Sequence, residues 1–419
     1  MVSYSKTALF IILVSTHDDL GPISTLAFVI NAGSRNEELE YPGVAHFVKN
    51  TLNIKGDNIV RTIREAELRG NSFYTSHSRE SITVATDFLR DDLVDAVPLL
   101  VNNIFNRSLE PYEFLDARRL VAEESKAALN EPSVFLADSL HRVAFRTGLG
   151  NSLFASTETL NDLKRSHINN FTSKFFTPNR IAVIGSGVNQ KDLISLLETA
   201  FKNSMLGSNS NFLQQRSKYY GGEERYSSGH SEAHYALAFP STSFNSNEYP
   251  TALVLRALLD GSRRSPWGIV NGSSSLLANA ASSSCSVVAF NTSYSDAGLL
   301  GFYIKGNEGD VKNVVQNSLN ALKSVASGVG FSDASITRAV KTAIVDLECS
   351  ATRESRVRDI AENILSSGSN LKTGVLSDAL SKVTAEKLAS FAKTMINNKP
   401  SVVAYGKYPF LPYLEDFKL

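Results

Sequence analysis

The chain carries no surplus of either charge: 42 Lys plus Arg stand against 42 Asp plus Glu, a formal net charge of +0 over 419 residues. A nucleic-acid binder needs a basic face to displace counterions from phosphates, so that class is set aside. Zero net charge also does little for the solubility of a free chain, which suits a protein that covers much of its surface in an assembly. Cysteine is nearly absent. Cys285 and Cys349 cannot build a disulfide framework or a four-ligand zinc site, and they fit a reducing compartment or small buried positions. Long apolar runs are missing as well. The longest, Ala8-Leu9-Phe10-Ile11-Ile12-Leu13-Val14, falls far short of the roughly 20 residues of a membrane-spanning helix, and its β-branched content reads as a buried strand. Residues 1–20 hold one Lys and no Arg, so they do not display an Arg-rich transit peptide, which is either already removed or not visible.

What is present is an ordinary globular mixture, 42% hydrophobic and 20% charged, too long for one core. One domain per ~150 residues gives two or three domains. The chain repeats itself at a spacing of roughly 210 residues. A strand pattern at Ile23–Ile30, then Glu40-Tyr41-Pro42 and a helix, is matched by a strand at Ala233–Phe239, then Glu248-Tyr249-Pro250 and a helix carrying Leu255, Leu258 and Leu259.

The order of the elements that follow also agrees. In the first half Asp57 and Gly70 bracket a helix burying Ile59, Ile63 and Ala66. Strand patterns then surround Phe73 and run through Ile82, Val84, Thr86 and Phe88. A helix with Val97, Leu100, Val101 and Ile104 on one face comes next. The second half offers strands at Val287–Thr292 and Leu300–Ile304, joined by a hairpin-like turn, and then a helix from about Asp310. Two further helices carry Ile336, Val340, Ile344, Leu347 and Val357, Ile360, Ile364. Each half closes on an apolar strand, Ile181–Gly185 and Val402–Gly406. Interleaved strands, hairpins and helices indicate an α+β fold with largely antiparallel sheets, not a doubly wound parallel one. A Ser, Asn, Gln, Tyr and Gly-rich stretch at Asn203–Gly229 reads as a linker. The expected division is a domain over 1–205, a linker over 206–229 and a second domain over 230–419.

Chemistry-bearing motifs are sparse. No nucleophile elbow, phosphate loop or dinucleotide fingerprint stands in the required strand-to-helix setting; Gly185-Ser186-Gly187 lacks the third glycine and reads as a turn. His230-Ser231-Glu232-Ala233-His234 brings two imidazoles and a carboxylate together. Along a strand, however, Glu232 and His234 share a face while His230 falls in the loose segment before it, so a solvated strand entry is the reading adopted. The helix after Pro42 is more informative. The inverted zinc motif H-x-x-E-H sets two His ligands at i and i+4 and a general-base Glu at i+3. Here those positions hold His46, Lys49 and Asn50. The base has become an ammonium, which repels a dication, and the second ligand an amide, so neither metal, cofactor nor catalytic residue is expected on this chain.

The context of that motif resembles a known family. Phe28-Val29-Ile30-Asn31-Ala32-Gly33-Ser34-Arg35-Asn36-Glu37, followed by Gly43-Val44-Ala45-His46-Phe47, is similar to the opening of the pitrilysin and mitochondrial processing peptidase family. In that family a strand ending in Gly-Ser-Arg leads into the zinc helix. The family's further Glu ligand lies roughly 75–80 residues on, where Arg118-Arg119-Leu120-Val121-Ala122-Glu123-Glu124 is similar, with either Glu123 or Glu124 in register.

The second-half stretch Val288–Tyr303 and the tail Leu411–Asp416 resemble the branch of the family that serves as core subunits of the mitochondrial cytochrome b–c1 complex. That resemblance implies two peptidase-like α+β domains related by pseudo-twofold symmetry. It also implies a peripheral, matrix-side place on the inner membrane, with core protein 1, cytochrome b, cytochrome c1 and the Rieske protein as partners and no haem, quinone or iron–sulfur ligand on this chain. Two rivals remain. One is an active zinc peptidase, opposed by Lys49 and Asn50. The other is the non-catalytic, substrate-recognising subunit of the processing peptidase, whose long glycine-rich loop is here Asn271–Ala281, rich in Ser and Ala with one glycine.

Overall fold

The computed structural model describes residues 2–6, 12–16, 21–52, 59–105, 109–202, 214–227, 232–260, 275–282, 284–348, 360, 373–407 and 411–416. Asp57, His230, Cys349, Val357, Ile364 and positions 271–274 of the Ser/Ala-rich stretch lie outside them. The chain forms two compact units. The first comprises Met1–Leu129, Asn151–Gln215 and Ser350–Asn370, and the second Asn130–Gly150, Arg216–Cys349 and Leu371–Leu419.

The first unit is built on six strands: β1 (Val2–Lys6), β2 (Ile12–Thr16), β3 (Ile23–Ile30), β4 (Ser72–His77), β5 (Ile82–Leu89) and β6 (Ile181–Ser186), in the order β1-β2-β6-β3-β5-β4. Only β2 and β6 pair in parallel; the other neighbours are antiparallel. Its helices are α1 (Val44–Thr51), α2 (Ile59–Leu68), α3 (Leu93–Phe105) and α4 (Pro111–Asn130). After α5 (Pro132–Phe145), which belongs to the second unit, come α6 (Thr157–Asp162), α7 (Arg165–Phe175) and α8 (Gln190–Lys202).

Apolar residues follow one another along β3 without alternation because both faces of the sheet are covered. Leu26, Phe28 and Ile30 join the larger core, where the Phe28 ring meets Phe105 of α3 and Phe201 of α8 at centroid distances of 6.3 and 6.2 Å. Each such ring removed from water contributes roughly 1.5–3 kcal/mol. Ala27 and Val29 point the other way, beside Ala85, Ala182 and Ile184, and Ile360 packs against that smaller cluster.

The second unit repeats this design. Its strands β7 (Gly222–Ser227), β8 (Glu232–Ser241), β9 (Cys285–Ser293), β10 (Gly298–Asn307) and β11 (Ser401–Gly406) run in the order β7-β11-β8-β10-β9. That is the order β2-β6-β3-β5-β4 over again, with β7 and β11 as the parallel pair. Its helices α9 (Tyr249–Leu259), α10 (Leu276–Ala280), α11 (Glu308–Ala326) and α12 (Asp333–Glu348) are followed by Thr373–Ser381 and Ala385–Ile396. Tyr235, Leu237 and Phe239 face a core shared with α9 and α11. Ala236, Ala238, Leu299 and Val403 face Leu136, Leu140 and Ala144 of α5. Two domains of mixed, largely antiparallel sheet with packed helices are therefore present, as the sequence pattern indicates.

Two expectations are corrected. Part of the stretch read as a linker is strand β7. It lies at the edge of its sheet, paired with β11, and an edge strand needs no apolar alternation. Its Glu223 and Arg225 pair with each other at 2.6 Å instead. On α2, Ala66 is buried but Ile63 is 47% exposed. Periodicity locates a stripe without saying which of its borders meets the core, and Ile63 lies on the outer border. Gly70 ends that helix as expected, at φ +71°.

Candidate functional site

The degenerate motif is held by an elaborate local frame within the first unit. Beyond β3 the chain turns at Gly33, where a Cβ would sit 2.2 Å from the Arg79 carbonyl oxygen, so only glycine passes. Arg35 then pairs with Glu80 at 2.6 Å. Glu37 accepts hydrogen bonds from the backbone N–H groups of Gly43 and Ala45, both at 2.8 Å. Its carboxylate thereby satisfies two donors left open at the start of α1 and complements the positive end of the helix. Gly43 itself stands at φ +91°, with Ala155 so close that a Cβ would be 2.4 Å from that residue's own. All eight residues of α1 are buried.

On α1, His46, Lys49 and Asn50 lie at i, i+3 and i+4 and so share one face. That face meets α4, and the structure selects Glu124, with Glu123 exposed. The Glu124 carboxylate is the focus of three side chains. His46 Nε2 lies 3.1 Å from Oε2, Lys49 Nζ donates to Oε1 at 2.5 Å, and Asn50 Nδ2 donates to Oε2 at 2.7 Å. The tautomer of His46 follows from its two sides. Nδ1 accepts from the Ala155 backbone N–H at 3.3 Å, so Nε2 carries the proton that it gives to Glu124. These hydrogen bonds, that of His46 foremost, hold the Glu124 carboxyl well below the usual carboxylate range against the opposing effect of partial burial.

Behind His46 stands a residue that no motif announces. His77, the last residue of β4, stacks on the His46 ring at 4.9 Å with 12° between planes, and the Phe154 ring stands perpendicular to both. His77 Nε2 lies 2.8 Å from the Leu153 carbonyl oxygen and donates to it. Burial, with His46 close by, pushes the His77 pKa down to about 4, so the ring is neutral near pH 7. An imidazole at a strand end carries no spacing signal, and only the fold brings it here.

The arrangement does not fit a zinc ion. A zinc-binding His presents a lone pair, and His46 Nε2 presents a hydrogen. The carboxylate lone pairs that would face a cation are taken by three donors. Lys49, with its side chain 9% exposed, already supplies a positive charge beside Glu124. No group of three or more His, Cys, Asp or Glu side chains suited to a metal occurs among the described residues. The other candidates separate in the same way. Glu232 pairs with Lys305 at 3.2 Å, and His234 Nδ1 lies 2.6 Å from the Tyr303 hydroxyl. Gly185 and Ser186 end β6, with Gly187 turning at φ +72° before α8. Within Asn271–Ala281 the described part forms the short helix α10.

A capped helix that still aims the degenerate triad at Glu124, inside a twice-repeated α+β domain, defines a peptidase-type scaffold. The chain belongs to peptidase family M16: residues 12–157 match the family model "Insulinase (Peptidase family M16)" and residues 162–343 match "Peptidase M16 inactive domain". Within that family it is similar to the cytochrome b-c1 complex subunit 2, mitochondrial, of Neurospora crassa, at 33% identity over 100% of this chain and 91% of the relative. It is also similar to the mitochondrial-processing peptidase subunit alpha-2 of Dictyostelium discoideum, at 26% identity over 94% of this chain and 89% of that one. A chain of the structure "Complex III2 from Candida albicans, Inz-5 bound" shares the fold with a TM-score of 0.86 and 17% identity, covering 99% of both chains. No described helix is long and apolar enough to cross a membrane.

Proposed function

We propose that the chain is a non-catalytic structural core subunit, core protein 2, of the mitochondrial cytochrome b–c1 complex. It sits peripherally on the matrix side of the inner membrane and supports the assembly of core protein 1, cytochrome b, cytochrome c1 and the Rieske protein. The redox chemistry belongs to those partners. The observation that carries the loss of catalysis is the Lys49 ammonium 2.5 Å from Glu124: a covalently attached cation stands where a dication would need the same carboxylate. A missing general base alone lowers the rate by about 10²–10⁴, and loss of the ligands removes the metal as well. Similarity over the full chain to a cytochrome b-c1 complex subunit 2 supports the choice of assembly.

The substrate-recognising subunit of the processing peptidase is the second reading, favoured by the alpha-2 relative and opposed by the Ser/Ala-rich composition of residues 271–281. Purification of the tagged chain in mild detergent separates the two. Co-purification of b- and c-type haem is the expected result. Recovery of a catalytic peptidase subunit without haem would overturn the assignment.

A further inference from the structure

In the second unit, the C-terminal end of α5 carries the one non-glycine residue at positive φ among the described residues, Arg146, at φ +64° and ψ −55°. The Thr147 N–H donates to the Phe145 carbonyl oxygen across it at 2.7 Å, which makes Arg146 the centre of a γ-turn of the rare, strained kind. The turn sets the guanidinium over the Tyr220 ring, 4.3 Å from its centroid, and the Lys218 ammonium lies 5.3 Å from the same centroid. The two charges therefore stand within about 10 Å of each other, roughly one Debye length at ~0.1 M salt, and repel. Tyr220 is fixed by its backbone, whose N–H donates to the Ala144 carbonyl oxygen at 2.8 Å. The neighbouring Tyr219 hydroxyl donates to the carbonyl oxygen of Lys399 at 2.7 Å, and Lys399 is a third exposed cation beside this segment. Among the described residues no carboxylate pairs with Arg146, Lys218 or Lys399. The negative end of α5 offsets part of this charge, but it is worth about half an elementary charge against two cations at one ring.

We propose that Arg146 and Lys218, held over the Tyr220 ring, bind a phosphate group in its dianionic form, carried by inorganic phosphate or a small phosphate monoester. All three side chains are exposed, so a dissolved anion reaches them directly. Charge and shape select phosphate over a carboxylate. A carboxylate brings one charge and two coplanar oxygens, which the Arg146 fork alone would satisfy. A phosphate monoester brings about −1.5 to −2 near pH 7, with tetrahedral oxygens that meet the guanidinium and the ammonium together. A phospholipid diester carries a single charge at its phosphate and matches two cations less well. Backbone strain persists only where its surroundings hold it, and a bound anion gives the strained turn a use. The site lies in the second unit alone and does not depend on the place of the chain in an assembly.

The test is phosphorus-31 NMR of inorganic phosphate added to the full chain near pH 7, with ionic strength held constant by chloride. Saturable line broadening is expected, with a dissociation constant of about 1–10 mM, the range of a few exposed charge-assisted hydrogen bonds. Sulfate is expected to displace the phosphate, and acetate at the same ionic strength is not. Arg146→Gly removes the guanidinium at a backbone conformation that glycine takes without strain, and it is expected to weaken binding about ten-fold. Lys218→Gln, at an exposed position where the fold is not at stake, is expected to weaken it by a similar factor. No broadening in the wild type, unchanged binding in Lys218→Gln, or displacement by acetate as strong as by sulfate overturns the proposal. Sedimentation with vesicles of phosphatidylcholine and phosphatidylglycerol separates the two sources of a phosphate group. Vesicle binding that is lost in both variants, without broadening by inorganic phosphate, would assign the face to a lipid headgroup and overturn the free ligand. These readings are the same whether or not the chain co-purifies with haem, so their failure is distinct from failure of the proposed function.

Discussion

Deleting the Glu124 carboxylate should harm the fold far more than deleting the ammonium it faces. In Glu124→Ala the donors on His46, Lys49 and Asn50 lose their shared acceptor, and the Lys49 ammonium, on a side chain 9% exposed, is left nearly dry. Breaking a buried ion pair from one side costs about 3–5 kcal/mol. Glu124, however, is 36% exposed at its side chain. Water therefore reaches one end of the pair, and the cost drops toward the ~0–1 kcal/mol of exposed pairs, to roughly 2–3 kcal/mol. For a cooperative unit of 150–250 residues that is a fall in Tm of roughly 4–12 °C.

Lys49→Met removes the buried charge itself. Glu124 keeps the His46 and Asn50 donors and its access to water, so the change should stay within about 1 kcal/mol of wild type. The double variant Glu124→Ala, Lys49→Met should recover most of the loss, because no uncompensated charge remains. Urea unfolding of the four proteins at pH 7, with thermal melts beside it, closes the cycle. If Lys49→Met costs as much as Glu124→Ala, and the double variant shows no recovery, then the carboxylate does not serve as the counter-charge of the ammonium. The account of a built-in cation then fails.

Reversing the drift is the complementary experiment. Lys49→Glu with Asn50→His rebuilds two zinc-motif positions opposite Glu124 and should yield one equivalent of chelator-sensitive zinc by metal analysis, where the wild type is expected to hold none. Either single variant should hold less than half as much: Lys49→Glu alone lacks the second His of the roughly three converging ligands required, and Asn50→His alone keeps the Lys49 ammonium on Glu124. The His77 pKa is lowered to about 4; the unfolded chain therefore binds that proton more readily, and the stability held above pH ~6.5 is lost as pH falls toward 4. His77→Gln should flatten Tm against pH across that window. The depressed Glu124 carboxyl acts in the same direction at lower pH, with its contribution complete above ~4.3 and declining below it, and Glu124→Ala should flatten that limb. Gly43→Ala combines a left-handed backbone with a Cβ forced against Ala155, and should cost about 2 kcal/mol or more in urea unfolding.

Much of this molecule could be read before its coordinates. The strands at Ile23–Ile30 and Ile181–Ser186 stand where apolar runs placed them, because a sheet covered on both faces is apolar at consecutive positions, and Ile82–Leu89 stands where the period-two alternation of Ile82, Val84, Thr86 and Phe88 placed it. The spacing His46, Lys49, Asn50 put the three on one helical face for a purely geometric reason. What the sequence withheld depended on distant contact. Nothing local distinguishes Glu123 from Glu124; the packing of α4 against α1 does. Nothing marks His77, which joins the site only because β4 ends beside it. β7 carries Glu223, Glu224 and Arg225 in sequence, and an edge position is what allows such residues in a strand.

The unit boundaries also explain why the scaffold could outlast its metal site. The smaller core of the second sheet is closed by α5, which lies in the first half of the chain. The first unit in turn includes Ser350–Asn370 from the second half, and Ile360 packs on the smaller face of its sheet. A cut through residues 206–229 would therefore strip apolar cover from both sheets at once. The cover on the second sheet includes Leu136, Leu140 and Ala144, each at most 1% exposed, and exposing two leucines alone forfeits roughly 3–6 kcal/mol, a large share of the stability of an ordinary domain. The repeats are bound to fold as one chain by packing that owes nothing to zinc. A motif residue can then change from base to ammonium, or from ligand to amide, at a cost limited to its own neighbours, provided that the carboxylate opposite still finds donors. His46, Lys49 and Asn50 supply them.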